Sequence, residues 1–325
     1  MAEMNVIEHG AGGGPEVLTP GQRPVPEAGA GEVLVRVTAA GVNGPDLMQR
    51  KGLYPPPKGA SDLLGLEVSG EIVAVGEGVE RWQAGDRICA LTNGGGYAEH
   101  VAVHAGHCLP IPEGVSETDA AGLCETYFTV WSNLFHGHDV PAGGTLLVHG
   151  GAGGIGSTAI QLGAARGLRV FATEGSGEAL AFCTELGAER AIDYNSEDFV
   201  AIVKEAGGAD LILDIVGGDY IARNIKAARH DARIVQLAFA KGSEVTLNLM
   251  PVMLKRLTYT GSTLRTRSDA FKADVARALE AEVWPLFAAG RLRSVTHAVL
   301  PLAEAAEAHR MMEAAGHRGK ILLTP

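Results

Sequence analysis

The run Thr145-Leu-Leu-Val-His-Gly150-Gly151-Ala152-Gly153-Gly154-Ile155-Gly156 constrains the fold of this chain more than any other. An apolar stretch with a β-branched residue meets glycines spaced G-x-G-x-x-G, and an Ala/Gln/Leu-rich helical segment follows from Ser157 to Arg166. Strand, tight turn and helix N-terminus form the arrangement that holds a dinucleotide. In it Gly151 permits the turn, Gly153 lets the backbone approach a pyrophosphate, and Gly156 lets the helix pack closely on its strand. Ala152, Gly154 and Ile155 complete the loop, whose amide N–H groups and helix dipole face the phosphates. With 44 glycines among 325 residues the spacing alone is weak. The β-α units that follow strengthen it.

Arg169–Glu174 reads as a second strand, and Glu178 to Leu186 as a helix ended by Gly187. Ala191 to Tyr194 is a short strand, and Ser196 caps a helix running towards Ala206. Ala209 to Val216 is a buried strand closed by Gly217-Gly218. A helix to Arg229, a strand at Arg233 to Phe239 and another at Leu257 to Ser262 follow. This alternation predicts a parallel, doubly wound α/β sheet.

Before residue 123 the pattern differs. Short Val-rich runs (Glu32 to Thr38, Glu71 to Val75, Tyr97 to Val103) lie between Gly/Pro/Asn/Asp turns, with no long helix, as in a compact β domain. After Ser262 come a long helix (Ser268 to Ala289), a strand (Val295 to Leu300), a helix (Ala303 to Ala315) and a last strand (Lys320 to Thr324). That tail is too short to stand alone and is expected to return to the first domain. Two domains with a cleft between them fit the length.

Lys+Arg total 27 against 38 Asp+Glu, a formal net charge of −11. An acidic chain without a basic run disfavours nucleic acid as a partner. No apolar segment approaches the ~18–20 residues of a membrane span. The N-terminus lacks a charged region followed by an apolar one, so a cytoplasmic location is expected. Cys89, Cys108, Cys124 and Cys183 are scattered without C-x-x-C, as in a reduced protein.

Further motifs run along nearly the whole chain: Ala40-Gly-Val-Asn43-Gly-Pro-Asp46 continuing to Gly52-Leu-Tyr54-Pro-Pro-Pro, Gly65-Leu-Glu67-Val-Ser-Gly70, Gly96-Tyr-Ala-Glu-His-Val, Glu125-Thr-Tyr-Phe-Thr129-Val-Trp, Leu213-Asp-Ile-Val-Gly-Gly218, Ser262-Thr-Leu-Arg-Thr-Arg-Ser268 and Gly319-Lys320-Ile-Leu-Leu. In order and spacing the chain resembles the zinc-free, zeta-crystallin-like quinone oxidoreductase branch of the medium-chain dehydrogenase/reductase superfamily, within it the p53-inducible quinone oxidoreductase group. The resemblance implies a GroES-like, mostly β substrate domain over 1–122, a Rossmann dinucleotide domain over 123–263, and a tail, 264–325, completing the first. It also implies a homodimer, which an edge strand at Leu257 to Ser262 would suit.

Zinc-binding members of the superfamily carry Cys where Asn43 stands and His where Leu66 stands. Glu67 and Glu125 without those soft ligands do not make that site, so no metal is expected. His100, His104, His107 and Cys108 remain a lesser metal candidate against ordinary solvated histidines. G-x-S-x-G is absent, so a hydrolase triad has no anchor.

Hydride transfer without metal needs nicotinamide C4 placed against an electrophile, and a donor for the developing oxyanion. By resemblance Asn43 and Thr129 hold the nicotinamide end, Phe239 and Lys320 contribute to the cofactor site, and Tyr54 meets the substrate oxygen. Competing readings are a loop aromatic packed on prolines for Tyr54 and an Asx-turn residue for Asn43. No acid or base is named by the sequence. At the adenosine end, Thr173, Ser176 and Tyr194 match residues near a 2′-phosphate in NADP-using members, but the Lys that follows in those members is missing. Glu174, 18 positions after Gly156, lies near the ~20-residue spacing at which an acid grips the ribose of NAD. Glu174 falls one residue before the acid position of NAD-linked relatives, so alternation turns it away. The expectation is NADPH, with NAD as the alternative, and quinone reduction, with two other readings open: reduction of activated C=C bonds in an enone or enoyl thioester, and a cofactor-binding structural protein.

Overall fold

The computed structural model describes residues 2–314 and 316–325. The chain forms two compact units. One runs to Phe128 and resumes over Arg265–Pro325; the other is Thr129–Leu264.

The first unit opens with the hairpin β1 (Glu3–Glu8) and β2 (Thr19–Pro24). β3 (Glu32–Val42), β4 (Glu67–Val75), β5 (Arg87–Leu91), β6 (His100–His104) and β7 (Cys108–Pro110) follow. Three helices accompany them: α1 (Gly44–Arg50), α2 (Glu117–Ala120) and α3 (Cys124–Leu134), the unit boundary falling inside α3. The short helix α1 is not marked by the sequence pattern, which speaks only against a long helix here. Asn43 and Asp46 tie its first turn, the Asn43 N–H donating to Asp46 Oδ2 at 2.8 Å, and Pro45 sits where a helix start tolerates it.

The second unit contains six parallel strands: β8 (Thr145–His149), β9 (Arg169–Glu174), β10 (Arg190–Asp193), β11 (Ala209–Asp214), β12 (Ala228–Gln236) and β13 (Thr258–Gly261). Between them lie α4 (Gly154–Ala165), α5 (Gly177–Glu185), α6 (Phe199–Glu205), α7 (Asp219–Ala227) and α8 (Met250–Leu254). The strand order β10-β9-β8-β11-β12-β13 reverses direction between β8 and β11. This is the doubly wound order, and ligands of such sheets bind at that reversal. β8 and β11 are buried at every position, as strands covered on both faces must be. Leu147, Phe171, Ile212 and Ile234 form the core with Phe199 and Tyr220. β13 lies at the sheet edge.

The tail adds α9 (Asp269–Glu282), α10 (Trp284–Ala288), β14 (Thr296–Pro301), α11 (Ala305–Glu313) and β15 (Lys320–Thr324). It completes the first unit's sheet, ordered β14-β15-β3-β4-β5-β7 with β6 on β3. Val33, Val35, Val68, Ile72, Ile88 and Leu323 close its core.

Three sequence expectations shift. The helix expected from Ser268 to Ala289 breaks at Val283, because Pro285 opens α10. Asp198, not Ser196, caps α6; the Ser196 hydroxyl instead donates to Asp193 at 2.8 Å. The helix expected to reach Ala315 is α11, and Ala315 itself lies outside the described residues. No helix among the described residues is long and apolar enough to cross a membrane.

Candidate cofactor and substrate site

The glycine turn sits at the sheet reversal, between β8 and α4. Its left-handed residue is Gly150, at φ 73°, rather than Gly151. Gly151 is needed for a different reason: a Cβ there would lie 2.6 Å from Cys183 Sγ of α5. A Cβ on Gly156 would stand 2.1 Å from Gly150 O, so only glycine lets the helix approach the turn. Gly153 is the opposite case. Its nearest neighbour would be Gly150 O at 4.0 Å, so the protein itself leaves the space over Gly153 open. Gly153 also caps α4 without a side chain, and the first-turn amides of Gly154 and Ile155 have no helical acceptor. Open space above unpaired amides fits a pyrophosphate.

The end of β9 fastens this turn. Thr173 O accepts the N–H groups of Gly150 and Gly151 at 3.2 and 3.3 Å. Glu174 accepts Ala152 N–H at 2.7 Å and Gly175 N–H at 3.3 Å. Thr173's hydroxyl bonds to His149 Nδ1 at 2.9 Å, and His149 Nε2 meets Asn224 Oδ1 at 2.7 Å. Asn224 Nδ2 donates to Asp214 at 2.9 Å, so its Oδ1 accepts, His149 carries its proton on Nε2, and the Thr173 hydroxyl donates to Nδ1. Burial pulls the His149 imidazole down to about 4, which keeps it neutral. Thr173 is therefore committed to the interior. Ser176 is exposed at the cap of α5, accepting Ala179 N–H at 3.2 Å, and the exposed Tyr194 ring covers Gly175 beside it. Phe239 is exposed against Gly217. Thr129 Oγ1 is buried with no hydrogen-bond partner, a vacancy of the kind a nicotinamide carboxamide fills.

In the other unit, Asn43, Glu67 and Lys320 form one buried set. Lys320 Nζ donates to Asn43 Oδ1 at 2.5 Å and Val42 O at 2.9 Å, and pairs with Glu67 Oε1 at 2.7 Å. Asn43 Nδ2 donates to Glu67 Oε1 at 2.9 Å and Gly41 O at 3.3 Å. Both ends of the Asn43 amide are thus engaged within the protein, and Lys320 is nearly buried. Asp46 accepts from Gly65 N–H, and burial raises it to about 6. Glu67 Oε2 accepts Glu125 N–H at 2.8 Å. Burial, then the neighbouring Glu67 charge, pushes the Glu125 carboxyl up to about 8, so it holds a proton at neutral pH. Tyr54 lies with the Arg265 guanidinium 5.7 Å from its ring centre.

Residues 29–113 match the alcohol dehydrogenase GroES-like domain and residues 154–281 match the zinc-binding dehydrogenase family. Quinone oxidoreductase of Rattus norvegicus is 30% identical over 96% of this chain and 94% of its own length. Quinone oxidoreductase of Pseudomonas syringae pv. tomato superposes with a TM-score of 0.88 at 29% identity, covering 99% of this chain and all of its own. The Escherichia coli quinone oxidoreductase complexed with NADPH gives 0.85 at 27% identity, with 99% and 100% coverage. The chain belongs to the quinone oxidoreductase branch of the medium-chain dehydrogenase/reductase superfamily. It is an NAD(P)H oxidoreductase of that superfamily, and the sequence-based α/β plus GroES-like fold expectation holds.

Within this family the donor set decides whether zinc fits. Zinc needs three ligands from Cys, His and carboxylate. Here the positions expected of Cys and His hold Asn43 and Leu66, and an ammonium already neutralises Glu67. No group of three or more His, Cys, Asp or Glu able to hold a metal occurs among the described residues. These residues do not fit zinc. His104 and His107 stack at 4.6 Å, and His107 Nε2 meets Asp269 O at 3.3 Å. Three polar residues escaped sequence reasoning: Glu125 as a protonated acid, Arg265 and Lys272. Their burial and partners arise from segments far apart in the chain, and no local spacing marks them.

Proposed function

We propose that this oxidoreductase reduces quinones with NADPH, by hydride transfer without zinc. The observation that carries the reading is the Lys320–Asn43–Glu67 set, which puts a protein cation where zinc relatives hold metal ligands. NADPH supplies the hydride when bound. The glycine turn would hold its pyrophosphate, Thr129 Oγ1 its carboxamide, and Ser176 with Tyr194 its 2′-phosphate. Glu174 is turned onto Ala152 N–H, which supports NADPH because the acid is not offered to the ribose. The solution of the E. coli relative as an NADPH complex supports the same choice. Tyr54 would donate its O–H to the substrate oxygen as charge develops there. Hydroquinone protons come from solvent.

The test is steady-state oxidation of NADPH with ortho- and para-quinones against enones, with and without a chelator. Turnover of quinones unaffected by chelation is expected. Loss on chelation restored by zinc contradicts the metal-free part; turnover of enones alone, or cofactor binding without turnover, contradicts the quinone part. We also propose a homodimer through the edge strand β13 and the α8 region that precedes it in the chain, where Leu249, Met250, Met253 and Leu254 are exposed.

A further inference from the structure

Arg265 and Lys272 are buried cations, 5% and 1% exposed, whose hydrogen bonds all end on neutral acceptors. Arg265 donates to Asn93 O through Nε at 3.0 Å and Nη2 at 2.5 Å, and through Nη1 to Gln49 Oε1 at 2.6 Å. Lys272 Nζ donates to Asn93 Oδ1 at 2.7 Å and to Arg265 O at 2.9 Å. Asn93 therefore braces both charges, and neither is spent on an ion pair. Two adjacent cations buried without a contacting carboxylate are costly to desolvate. A fold that needed only hydrogen bonds at Asn93 would be served better by neutral side chains. The feature that accompanies this charge is Tyr54, whose ring centre lies 5.7 Å from the Arg265 guanidinium.

We propose that Arg265 is a positioning residue for the reduction: backed by Lys272, its guanidinium beside the Tyr54 ring strengthens the Tyr54 hydroxyl as a donor to the substrate oxygen. The proposal rests on the reading of Tyr54 as the group that meets that oxygen. The hydride would leave the nicotinamide C4–H bond with its electron pair and form an O–H bond at one quinone oxygen, the ring π electrons would shift so that the other C=O becomes C–O⁻, and that hydroquinone monoanion would take its last proton from solvent. Negative charge on that oxygen is what a cation acting through the phenol favours, more strongly in a water-poor site than in bulk water.

The groups facing Tyr54 and Arg265 are of both signs, two carboxyls and one further cation. Burial, then the Glu125 carboxyl, push the Tyr54 phenol up, and Arg265 opposes them. Glu125 from α3 is held neutral near pH 7, with its midpoint at about 8. Asp46 from α1 has its carboxylate already tied to the N–H groups of Gly65 and Asn43. Lys272 from α9 stands behind Arg265, donating to Arg265 O, and itself faces Asp269 of its own helix and Glu125. With Glu125 neutral, the charge that acts on the phenol around neutral pH is foremost that of Arg265, with Lys272 behind it.

The experiment is an NMR pH titration of the full chain labelled at tyrosine Cζ, with Tyr54→Phe assigning the Tyr54 signal. Removing the charge in Arg265→Gln is expected to move the Tyr54 midpoint upward, and Lys272→Gln to move it less in the same direction. With a para-quinone, Arg265→Gln should lower kcat about tenfold, which is ~1.4 kcal/mol of barrier. The KM for NADPH should stay put, and Arg265→Lys should recover part of both effects. An unchanged Tyr54 midpoint in Arg265→Gln, in protein that keeps its circular dichroism and NADPH affinity, overturns the proposal. Should Arg265→Gln fail to fold, an unchanged midpoint in Lys272→Gln overturns it instead. If the wild type reduces no quinone, the substrate reading fails while the titration still decides the coupling.

Discussion

The carboxylate of Glu174, at the end of β9, accepts the backbone N–H of Ala152 in the glycine turn at 2.7 Å. An acid in this neighbourhood can grip a ribose or brace a turn, and here it braces the turn. Glu174→Gln keeps an acceptor and removes the charge, so NADPH should bind several-fold tighter while NADH stays level. Glu174→Ala removes the brace and should cost about 1.5–3 kcal/mol of stability, with both cofactors weakened together. A selective loss of NADH in Glu174→Ala would show that the carboxylate holds ribose instead. Ser176→Ala should lower the NADPH-to-NADH affinity ratio about tenfold. Paired fluorescence titrations read all three variants.

Gly153 and Gly156 should respond in opposite ways. Gly153→Val places its Cβ no closer than 4.0 Å to the nearest neighbour, Gly150 O, so melting should be preserved and dinucleotide binding lost. Gly156→Ala drives a methyl to 2.1 Å from Gly150 O and should destabilise by at least ~1–3 kcal/mol, whether or not cofactor is added. Wild-type affinity in folded Gly153→Val would mean that the phosphates lie elsewhere.

Lys320→Met would leave Glu67 buried and unpaired beside Asn43. Breaking a buried pair in this way costs about 3–5 kcal/mol, and chemical denaturation should register it. Because the ammonium bonds Asn43 and Glu67 directly, a variant with unchanged stability would contradict this account of the set.

These outcomes also show what the sequence made legible. Strands such as Thr145–His149 and Ala209–Asp214 were readable because a strand buried on both faces is written as an unbroken apolar run. Helix α1 was not, since seven residues carry too little periodicity and its signal is the Asn43–Asp46 closure around Pro45. Spacing alone points to the role of Gly156, whereas the left-handed turn residue is Gly150, one position before the motif begins. Arg265 was visible only as part of a motif. Its meaning depends on Asn93 and Gln49, which the sheet and the tail bring to it from much earlier in the chain.

Stability should peak at about pH 6.5 and fall on either side. Burial depresses His149 and His107 to about 4 and His309 to about 3. Below the ordinary histidine midpoint the unfolded chain binds those protons and the native one does not, so stability is lost as pH falls from 6.5 towards these values. Glu125 is raised to about 8, so the native state alone keeps its proton between the ordinary glutamate range and pH 8, and stability is lost as pH rises through that window. Asp46, raised to about 6, offsets the histidines in part at lower pH. Melting temperatures level from pH 8 to pH 4 would contradict this balance.

Dimerisation should depend on the α8 and β13 edge. Met253→Asp with Leu254→Asp places two charges on residues that are 69% and 59% exposed in the single chain. Light scattering at micromolar concentration should show a dimer for the wild type and a monomer for the double variant. A monomeric wild type would remove this edge as a self-association surface.

The two sorts of glycine in one turn have an evolutionary consequence. Gly156 answers to the chain's own backbone, and Gly153 answers to nothing the chain contains. A descendant that kept this scaffold but ceased to carry a nucleotide would still be held to glycine at position 156, while position 153 would be released to drift. Variation between those two sites would therefore record whether a lineage still uses its dinucleotide, even where the fold survives intact.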